Sequence, residues 1–403
     1  MKIAVISTYP SKGAHHDYQG GVAAYTKNLV TSVSKLPSRE LIVMANQDGK
    51  DSTYNEAENI EVIRAWKKGI SFYKDLLKVL SENKIDLVHI QQELRLYGEI
   101  YSSFSLLYFI WKLRRKKIKN VVTIHGVVAK RFITRKFLEE NNSKFPAFVI
   151  RLGFKTIFST ICKFADQVVV HEKFFKEVLI KDYGAKPQKV NVISLGVEDI
   201  KPKVTNAQAK KELKIKKKRV VLFFGYVTSY KSPELLIDAF KEYSKSDPDS
   251  LLIIAGGKHP GLSNDPKYSK RYRELQTSAK EIKKDQIWWY GFVEEKDIQK
   301  IIMASDLLIF PYTVPLSTSA PLSLALTYRK PFLVSEEIST FFSDKKFSFR
   351  SNSKSLAKSL KEFFNDKISI KDYVESERAR RLWGNIAKEF DRIYLKINKR
   401  KNY

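Results

Sequence analysis

A chain of 403 residues carries 73 Lys and Arg against 44 Asp and Glu, a formal charge of +29, with 43% apolar residues. That length exceeds one ordinary core and predicts two or three domains, and the apolar content is that of a globular protein rather than a disordered one. The single cysteine, Cys162, excludes an internal disulfide, fits a reducing compartment and reads as a small core residue rather than a nucleophile.

The N-terminus shows no secretory pattern and reads as a first strand over residues 3–7. Gly20-Gly21-Val22 opens a helix that runs to about residue 34. Strands are predicted at 40–45 and 60–64, a helix at 73–83, then strands at 86–90, 121–125, 167–171 and 190–193. The run 100–111 is nearly apolar, but a spanning helix needs roughly 20 residues, so the chain is predicted to be soluble or peripheral. Leu195-Gly196-Val197-Glu198 reads as an inter-domain junction, and the charged stretch 201–218 as the start of a second domain. Strands follow at 220–224, 251–255, 287–290, 307–310 and 332–334, with helices between. Strand–helix alternation implies parallel sheets covered by helices on both faces, and here it occurs twice. The tail, from about residue 374, is a long basic helical pattern containing Trp383, Phe390 and Tyr394.

Phe223-Phe224-Gly225-Tyr226-Val227-Thr228-Ser229-Tyr230-Lys231-Ser232-Pro233 combines a buried strand, a glycine break, a polar loop with one lysine, and a helix start. That order puts an ammonium and backbone N–H groups at the carboxyl edge of a sheet, where phosphorylated ligands bind. Ser317-Thr318-Ser319-Ala320-Pro321-Leu322 is a second such element. Ser319 is placed to cap the following helix and Pro321 falls in its first turn, so free N–H groups and the helix dipole would face an anion. His15, His16 and Asp17 could suggest a metal, but consecutive residues do not easily converge on one ion and no further cluster accompanies them, so no metal is expected.

Several further segments share an order and spacing with one family. They are Tyr9-Pro10 with Gly20-Gly21-Val22-Ala23-Ala24-Tyr25, Asp86-Leu87-Val88-His89, Thr123-Ile124-His125-Gly126 and Val192-Ile193-Ser194-Leu195-Gly196-Val197. In the second half they are Phe224-Gly225-Tyr226 with Tyr230-Lys231, Ile253-Ile254-Ala255-Gly256-Gly257, Gly291-Phe292-Val293, and Ala304-Ser305-Asp306 with Phe310-Pro311-Tyr312. In register over nearly the whole chain, these segments resemble family 4 of the retaining glycosyltransferases.

The resemblance implies an α/β GT-B architecture of two Rossmann-like, doubly wound domains facing a central cleft. It places an acceptor domain at 1–197, a donor domain at 198–375, and a C-terminal helix at 376–403 returning to the first domain. It implies transfer of a hexose from a nucleotide-diphosphate sugar, with the leaving phosphate helping to deprotonate the acceptor, and no metal or other cofactor. His125 and Lys231 would be catalytic. Gly20, Gly21, Gly225, Tyr226, Thr228, Lys231, Gly257, Tyr312, Ser317, Thr318, Ser319, Ala320 and Leu322 would hold the donor, with Arg131 and His89 on the acceptor or phosphate side. The chain departs from the family pattern at five positions. Tyr226 and Thr228 stand where a second cation is usual, Ala320 replaces a glycine, and Leu316 and Leu324 stand where two glutamates, one of them a ribose ligand, are usual.

Between residues 112 and 163 there are fourteen Lys and Arg against two acids, Glu139 and Glu140. Arg114, Arg115, Lys116 and Lys117 follow an apolar helix pattern, and Arg151 and Lys155 lie on another, over 145–164. A basic, aromatic, amphipathic pair of this kind suits an anionic membrane surface and a lipid-linked acceptor on its cytoplasmic face; nucleic acid is the competing partner by charge. Three readings stay open: a hexosyltransferase acting on a lipid-linked or polysaccharide acceptor, a catalytically inert subunit that binds a partner transferase or glycan, and a nucleic-acid-binding protein on the same scaffold.

Overall fold

The computed structural model describes residues 1–14, 20–47, 53–141, 143–259 and 262–399. His15, His16 and Asp17 lie outside the described residues. Two compact units emerge. The first comprises Met1–Gly196, the short segment Leu316–Thr318, and the chain from Arg381 onward; the second comprises Val197–Pro315 and Ser319–Arg380.

The first unit is built on strands β1 (Lys2–Ser7), β2 (Glu40–Asn46), β3 (Thr53–Ala57), β4 (Ile60–Trp66), β5 (Leu87–Gln92), β6 (Lys119–Ile124), β7 (Gln167–Val170) and β8 (Val190–Val192). They form one sheet in the order β3-β4-β2-β1-β5-β6-β7-β8. All neighbours are parallel except β3, which runs antiparallel to β4. The central strands are buried beyond their first residue, as continuous Val and Ile runs require when helices cover both faces. Sequence periodicity misses β3, because Thr-Tyr-Asn-Glu-Ala is polar and only Tyr54 is buried.

The tail differs from the single helix predicted. It forms one helix, Lys371–Arg381, and a second, Trp383–Lys399, separated at Leu382. The second helix carries its apolar side, Trp383, Ile386, Phe390, Ile393, Tyr394 and Ile397, into the core beneath β1, β2 and the helix Gly21–Val33. Arg39 and Asp391 pin it at 2.6 Å. Burial of those side chains contributes on the order of 10 kcal/mol of gross stabilisation to the first unit.

The second unit holds β9 (Arg219–Phe224), β10 (Ser250–Ala255), β11 (Ile287–Gly291), β12 (Leu307–Phe310), β13 (Phe332–Ser335) and β14 (Ser348–Phe349). They pair in the order β11-β10-β9-β12-β13-β14, all parallel. The strand order reverses direction between β9 and β12. Such a switch point is where an open parallel sheet leaves a crevice at its carboxyl edge.

Candidate functional site

In the second unit, β9 ends at Gly225, whose φ of 114° a side-chain-bearing residue rarely adopts. The loop that follows closes in a single turn, Ser229–Lys231, then passes through Ser232 into the helix Pro233–Ser246. Thr313 N donates to the Tyr230 carbonyl at 2.9 Å, and Ser232 Oγ and Thr313 Oγ1 lie 3.0 Å apart. The turn is therefore bolted to the loop after β12. The result is a lysine that points inward. Lys231 is only 8% exposed, and its ammonium lies 5.9 Å from the Tyr230 ring and 5.8 Å from the Tyr312 ring. A Cβ at Gly225 would come within 2.9 Å of Lys231 Nζ and 3.2 Å of Pro321, so the glycine makes room for the ammonium and the helix start at once.

Two lysines are buried in this unit, and they differ. Lys330 Nζ donates to the carbonyls of Met303 and Ser305, both at 2.8 Å. Lys231 has neither a hydrogen-bond acceptor nor a carboxylate partner among the described residues. Burial drives its pKa down from 10.5 to about 8. A buried cation without a counter-ion is costly, and a phosphate at this position would remove the cost.

Ser319 caps the helix Ala320–Thr327, accepting from Leu322 N at 3.3 Å, and its hydroxyl is 3.0 Å from Tyr312 Oη. Leu322 N also reaches the Ser319 carbonyl and Pro321 has no N–H. The helix mouth therefore offers the Ala320 N–H, fewer donors than the sequence pattern suggests. Thr228 is buried, and its hydroxyl lacks a partner. Gly257 accepts from Val227 N at 3.2 Å. Beyond it the Tyr226 ring stacks on exposed Phe292 at 6.5 Å and meets His259 edge-on at 5.3 Å. Tyr268 clamps this corner, donating to the Val227 carbonyl and accepting from His259 N. Gly225, Tyr226, Thr228, Lys231, Gly257, Tyr312, Ser319, Ala320 and Leu322 thus share one sheet edge.

Ser317 and Thr318, just before Ser319, fall in the segment Leu316–Thr318, which groups with the first unit, where Ser317 pairs with Gly126. Of the two leucines at the departures from the family pattern, Leu316 goes with the first unit and Leu324 with the second.

In the first unit, Gly20 (φ 88°) caps the helix Gly21–Val33, and a Cβ at either Gly20 or Gly21 would meet nothing within 4 Å. His125, after β6, is buried in a chain of polar groups. Its Nε2 is 2.9 Å from Gln91 Oε1 and its Nδ1 is 3.2 Å from His171 Nε2. His171 Nδ1 meets the Ile193 carbonyl at 2.9 Å, Gln91 Nε2 meets His89 Nε2 at 3.2 Å, and Tyr394 Oη meets His89 Nδ1 at 2.8 Å. Because His171 Nδ1 faces a carbonyl, it carries the hydrogen. With Gln91 Oε1 toward His125, one of the two linked rings must then be cationic. A half-turn of the Gln91 amide satisfies every group with all three rings neutral. Burial favours that arrangement. It holds His89 at about 3, His171 at about 4 and His125 well below the usual histidine value, the neighbouring rings adding to the effect on His89 and His125.

Sequence reasoning places His89 at a strand end; it lies in the middle of β5, fully buried. Nothing in the local spacing of His171, Gln91 and Tyr394 marks a contact made across three strands and a helix 305 residues away. Arg131 is exposed and lies over the rings of Phe132 and Phe174 at 4.9 and 5.7 Å. Arg114, Arg115, Lys116, Lys117, Arg151 and Lys155 are all exposed. Cys162 is buried with its thiol pushed up to about 12 by burial, which suits packing and not nucleophilic attack. Among the described residues no group of three or more His, Cys, Asp or Glu could hold a metal, and no helix is long and apolar enough to cross a membrane.

Two Rossmann-like parallel α/β units, one with a lysine and a capped helix at its switch point, define the GT-B class of folds. The structure of HepE from Anabaena in complex with UDP superposes with a TM-score of 0.70 over 98% of this chain and 100% of that one, at 15% identity. Two family models match, "Glycosyltransferase Family 4" over residues 19–200 and "Glycosyl transferases group 1" over residues 204–381; the chain belongs to family 4 of the glycosyltransferases. Among characterised relatives, it is 26% identical to the UDP-Gal:alpha-D-GlcNAc-diphosphoundecaprenol alpha-1,3-galactosyltransferase of Escherichia coli over 63% of this chain and 57% of that protein. It is 25% identical to the mannosylfructose-phosphate synthase of Agrobacterium fabrum over 48% of this chain and 43% of that protein. The chain thus spans less than two thirds of the length of either relative.

Proposed function

We propose that this protein transfers a hexose from a nucleotide-diphosphate sugar to a lipid-linked or glycan acceptor, with retention at the anomeric carbon. The observation that carries the reading is the unpaired, buried ammonium of Lys231 at the switch point of the second sheet. In the proposed step the bond from the anomeric carbon to the β-phosphate oxygen breaks. The acceptor oxygen bonds to that carbon on the same face, and the acceptor proton passes to the departing phosphate. Lys231 neutralises the charge that develops on the phosphate, which is where a preorganised cation contributes most. Thr228, Ser319 and the Ala320 N–H supply further donors. His125 has both ring nitrogens engaged, so its proposed part is to shape and position, with no proton to give or take. The Tyr226–Phe292 pair suits the face of a nucleobase.

The relatives support both ends of this reading: HepE was crystallised with UDP, and the Escherichia coli enzyme's name specifies a diphosphoundecaprenol acceptor. A second reading, a non-catalytic binding subunit, is favoured by Leu316 and Leu324, since leucine accepts no ribose hydrogen bond, and by the thin helix mouth at Ala320. Thermal-shift titration with UDP, GDP and ADP and their sugars separates the two, because a ligand bound by the native state alone raises the melting temperature. The transferase reading expects one nucleotide series to stabilise the protein and its sugar to be consumed, both lost in Lys231→Ala. Stabilisation without turnover on any acceptor would favour the binding subunit, and no stabilisation by any nucleotide would remove the donor site.

A further inference from the structure

The crossovers from β4 to β5, β5 to β6 and β6 to β7 all step the same way along the first sheet. Right-handed connections therefore place their helices on one face. The helices Phe72–Glu82, Ser102–Arg115 and Ala147–Phe164 pack side by side there, and Tyr73 and Tyr108 touch across two of them at 5.1 Å. Their outer surface is unusual. Tyr101, Phe104 and Tyr108 line the solvent side of the middle helix at three- and four-residue spacing and end in Trp111, Lys112 and Arg115.

On Ala147–Phe164, the sequence pattern sets Phe148 and Leu152 with Phe154, Ile157, Phe158 and Ile161, apart from the face that carries Arg151, Lys155 and Lys163. The structure turns Phe148 and Leu152 outward instead, 69% and 61% exposed, beside Arg151 and Lys155, while Phe154, Ile157, Phe158 and Ile161 face the core. Ile70 and Phe145 extend the same surface.

Charge frames it. Arg135 and Lys136 are paired with Glu139 and Glu140. The other twelve Lys and Arg between residues 112 and 163 have no ion pair among the described residues. The helices Ser102–Arg115 and Ala147–Phe164 both begin at the carboxyl edge of the sheet, so the exposed apolar residues gather near that edge and Arg114, Arg115, Lys116 and Lys117 at the opposite one.

We propose that this face docks on an anionic phospholipid surface. Phe104, Tyr108, Phe148 and Leu152 would enter the boundary between headgroups and acyl chains, and the surrounding bases would neutralise lipid phosphates. Exposed large apolar groups are stabilised by leaving water, and unpaired cations by approaching anions; an anionic bilayer offers both at once. Nucleic acid satisfies the charge but gives Leu152 and Ile70 nothing to bury against. Substrate-binding elements gather at the carboxyl edge of such sheets, so docking there would bring a lipid-borne acceptor to the rim of the first unit.

The test is sedimentation of the full chain with vesicles of phosphatidylglycerol and phosphatidylcholine in equal parts, against phosphatidylcholine alone. It needs no donor and no turnover, so its failure is distinct from failure of the transferase reading. Retention is expected on the anionic vesicles only, weakening with salt. Lys116→Gln with Lys155→Gln should weaken it by about fivefold per base, and Phe148→Ser with Leu152→Ser by at least about tenfold. These sites are exposed, so the fold should hold by circular dichroism; if the second pair does not fold, Phe104→Ser with Tyr108→Ser replaces it. Equal retention on neutral vesicles, no effect of the apolar variants, tighter salt-sensitive retention on RNA or DNA, or a vesicle-free dimer abolished by Phe148→Ser with Leu152→Ser would each overturn the proposal.

Discussion

Lys231→Met should make the protein more stable and leave it unable to bind a nucleotide diphosphate. The structure gives the magnitude. Burial lowers the ammonium from 10.5 to about 8, a difference corresponding to roughly 3 kcal/mol at 1.36 kcal/mol per pH unit. At pH 7 the group is charged in both the folded and unfolded chain, so the full penalty acts on the native state. Between about pH 8 and 10.5 the unfolded chain keeps its proton longer, and the penalty fades. Against this stand the contacts with the Tyr230 and Tyr312 rings, both near 6 Å, contributing about 0.5–1 kcal/mol. Methionine fills a similar volume without the charge, so a net gain of about 1–3 kcal/mol is expected at pH 7, or roughly 3–10 °C in the melting of the second unit. The gain should shrink as the pH is raised to 10. With nucleotide at a hundredfold excess over its Kd, the wild type should gain about 2.7 kcal/mol and the variant almost none. Near pH 8 the wild type should also take up protons on binding, visible as a buffer-dependent heat, because the phosphate restores the lysine to its ordinary value. Urea unfolding and calorimetry decide the matter. A variant less stable than wild type at pH 7, or one that nucleotide still stabilises, would refute the reasoning.

Three more outcomes are expected. Gly196→Ala drives a Cβ to within 2.4 Å of the Trp383 ring; it should cost about 1–3 kcal/mol and raise hydrogen exchange along the helix Trp383–Lys399. Tyr394→Phe leaves the buried His89 Nδ1 without its partner and should destabilise the first unit by about 1–2 kcal/mol, measured by urea unfolding. The three buried histidines have folded-state pKa values below the ordinary 6.5, so the unfolded chain binds more protons in acid. Their contribution should be flat above pH 6.5 and stability should fall below it, by about 2 kcal/mol at pH 5 for a single such histidine; a melting temperature unchanged between pH 7 and 5 would contradict this.

Much of the fold was legible because buried parallel strands are continuous runs of Val, Ile and Leu. Val220 to Phe224 and Leu251 to Ala255 announce themselves, and Gly225 marks where the first of these must turn. The polar edge strand β3 carries no such run, and the break at Leu382 interrupts a basic helical pattern whose nearest glycine, Gly384, falls inside the second helix. The Lys231 loop could be read because its parts are adjacent in the chain. The histidine chain could not. His89 and Gln91 lie on β5, His125 and His171 just beyond β6 and β7, and Tyr394 arrives from a distant helix, so only the sheet order brings them together. Phe148 and Leu152 failed for another reason. A helix pattern assumes that apolar side chains face inward, and here the outer side is apolar as well.

The return of the last helix to the first unit has a consequence for synthesis. Trp383, Phe390 and Tyr394 complete a core begun by Ile3 and Val5, so the first unit, whose strands are made before the second unit, is finished only after it. About 200 residues separate Gly196 from that helix, and at 5–20 residues per second translation takes roughly 10–40 s to cross them. Throughout that interval the histidine chain ends on an open groove, and the intervening unit has time to form before its predecessor is sealed.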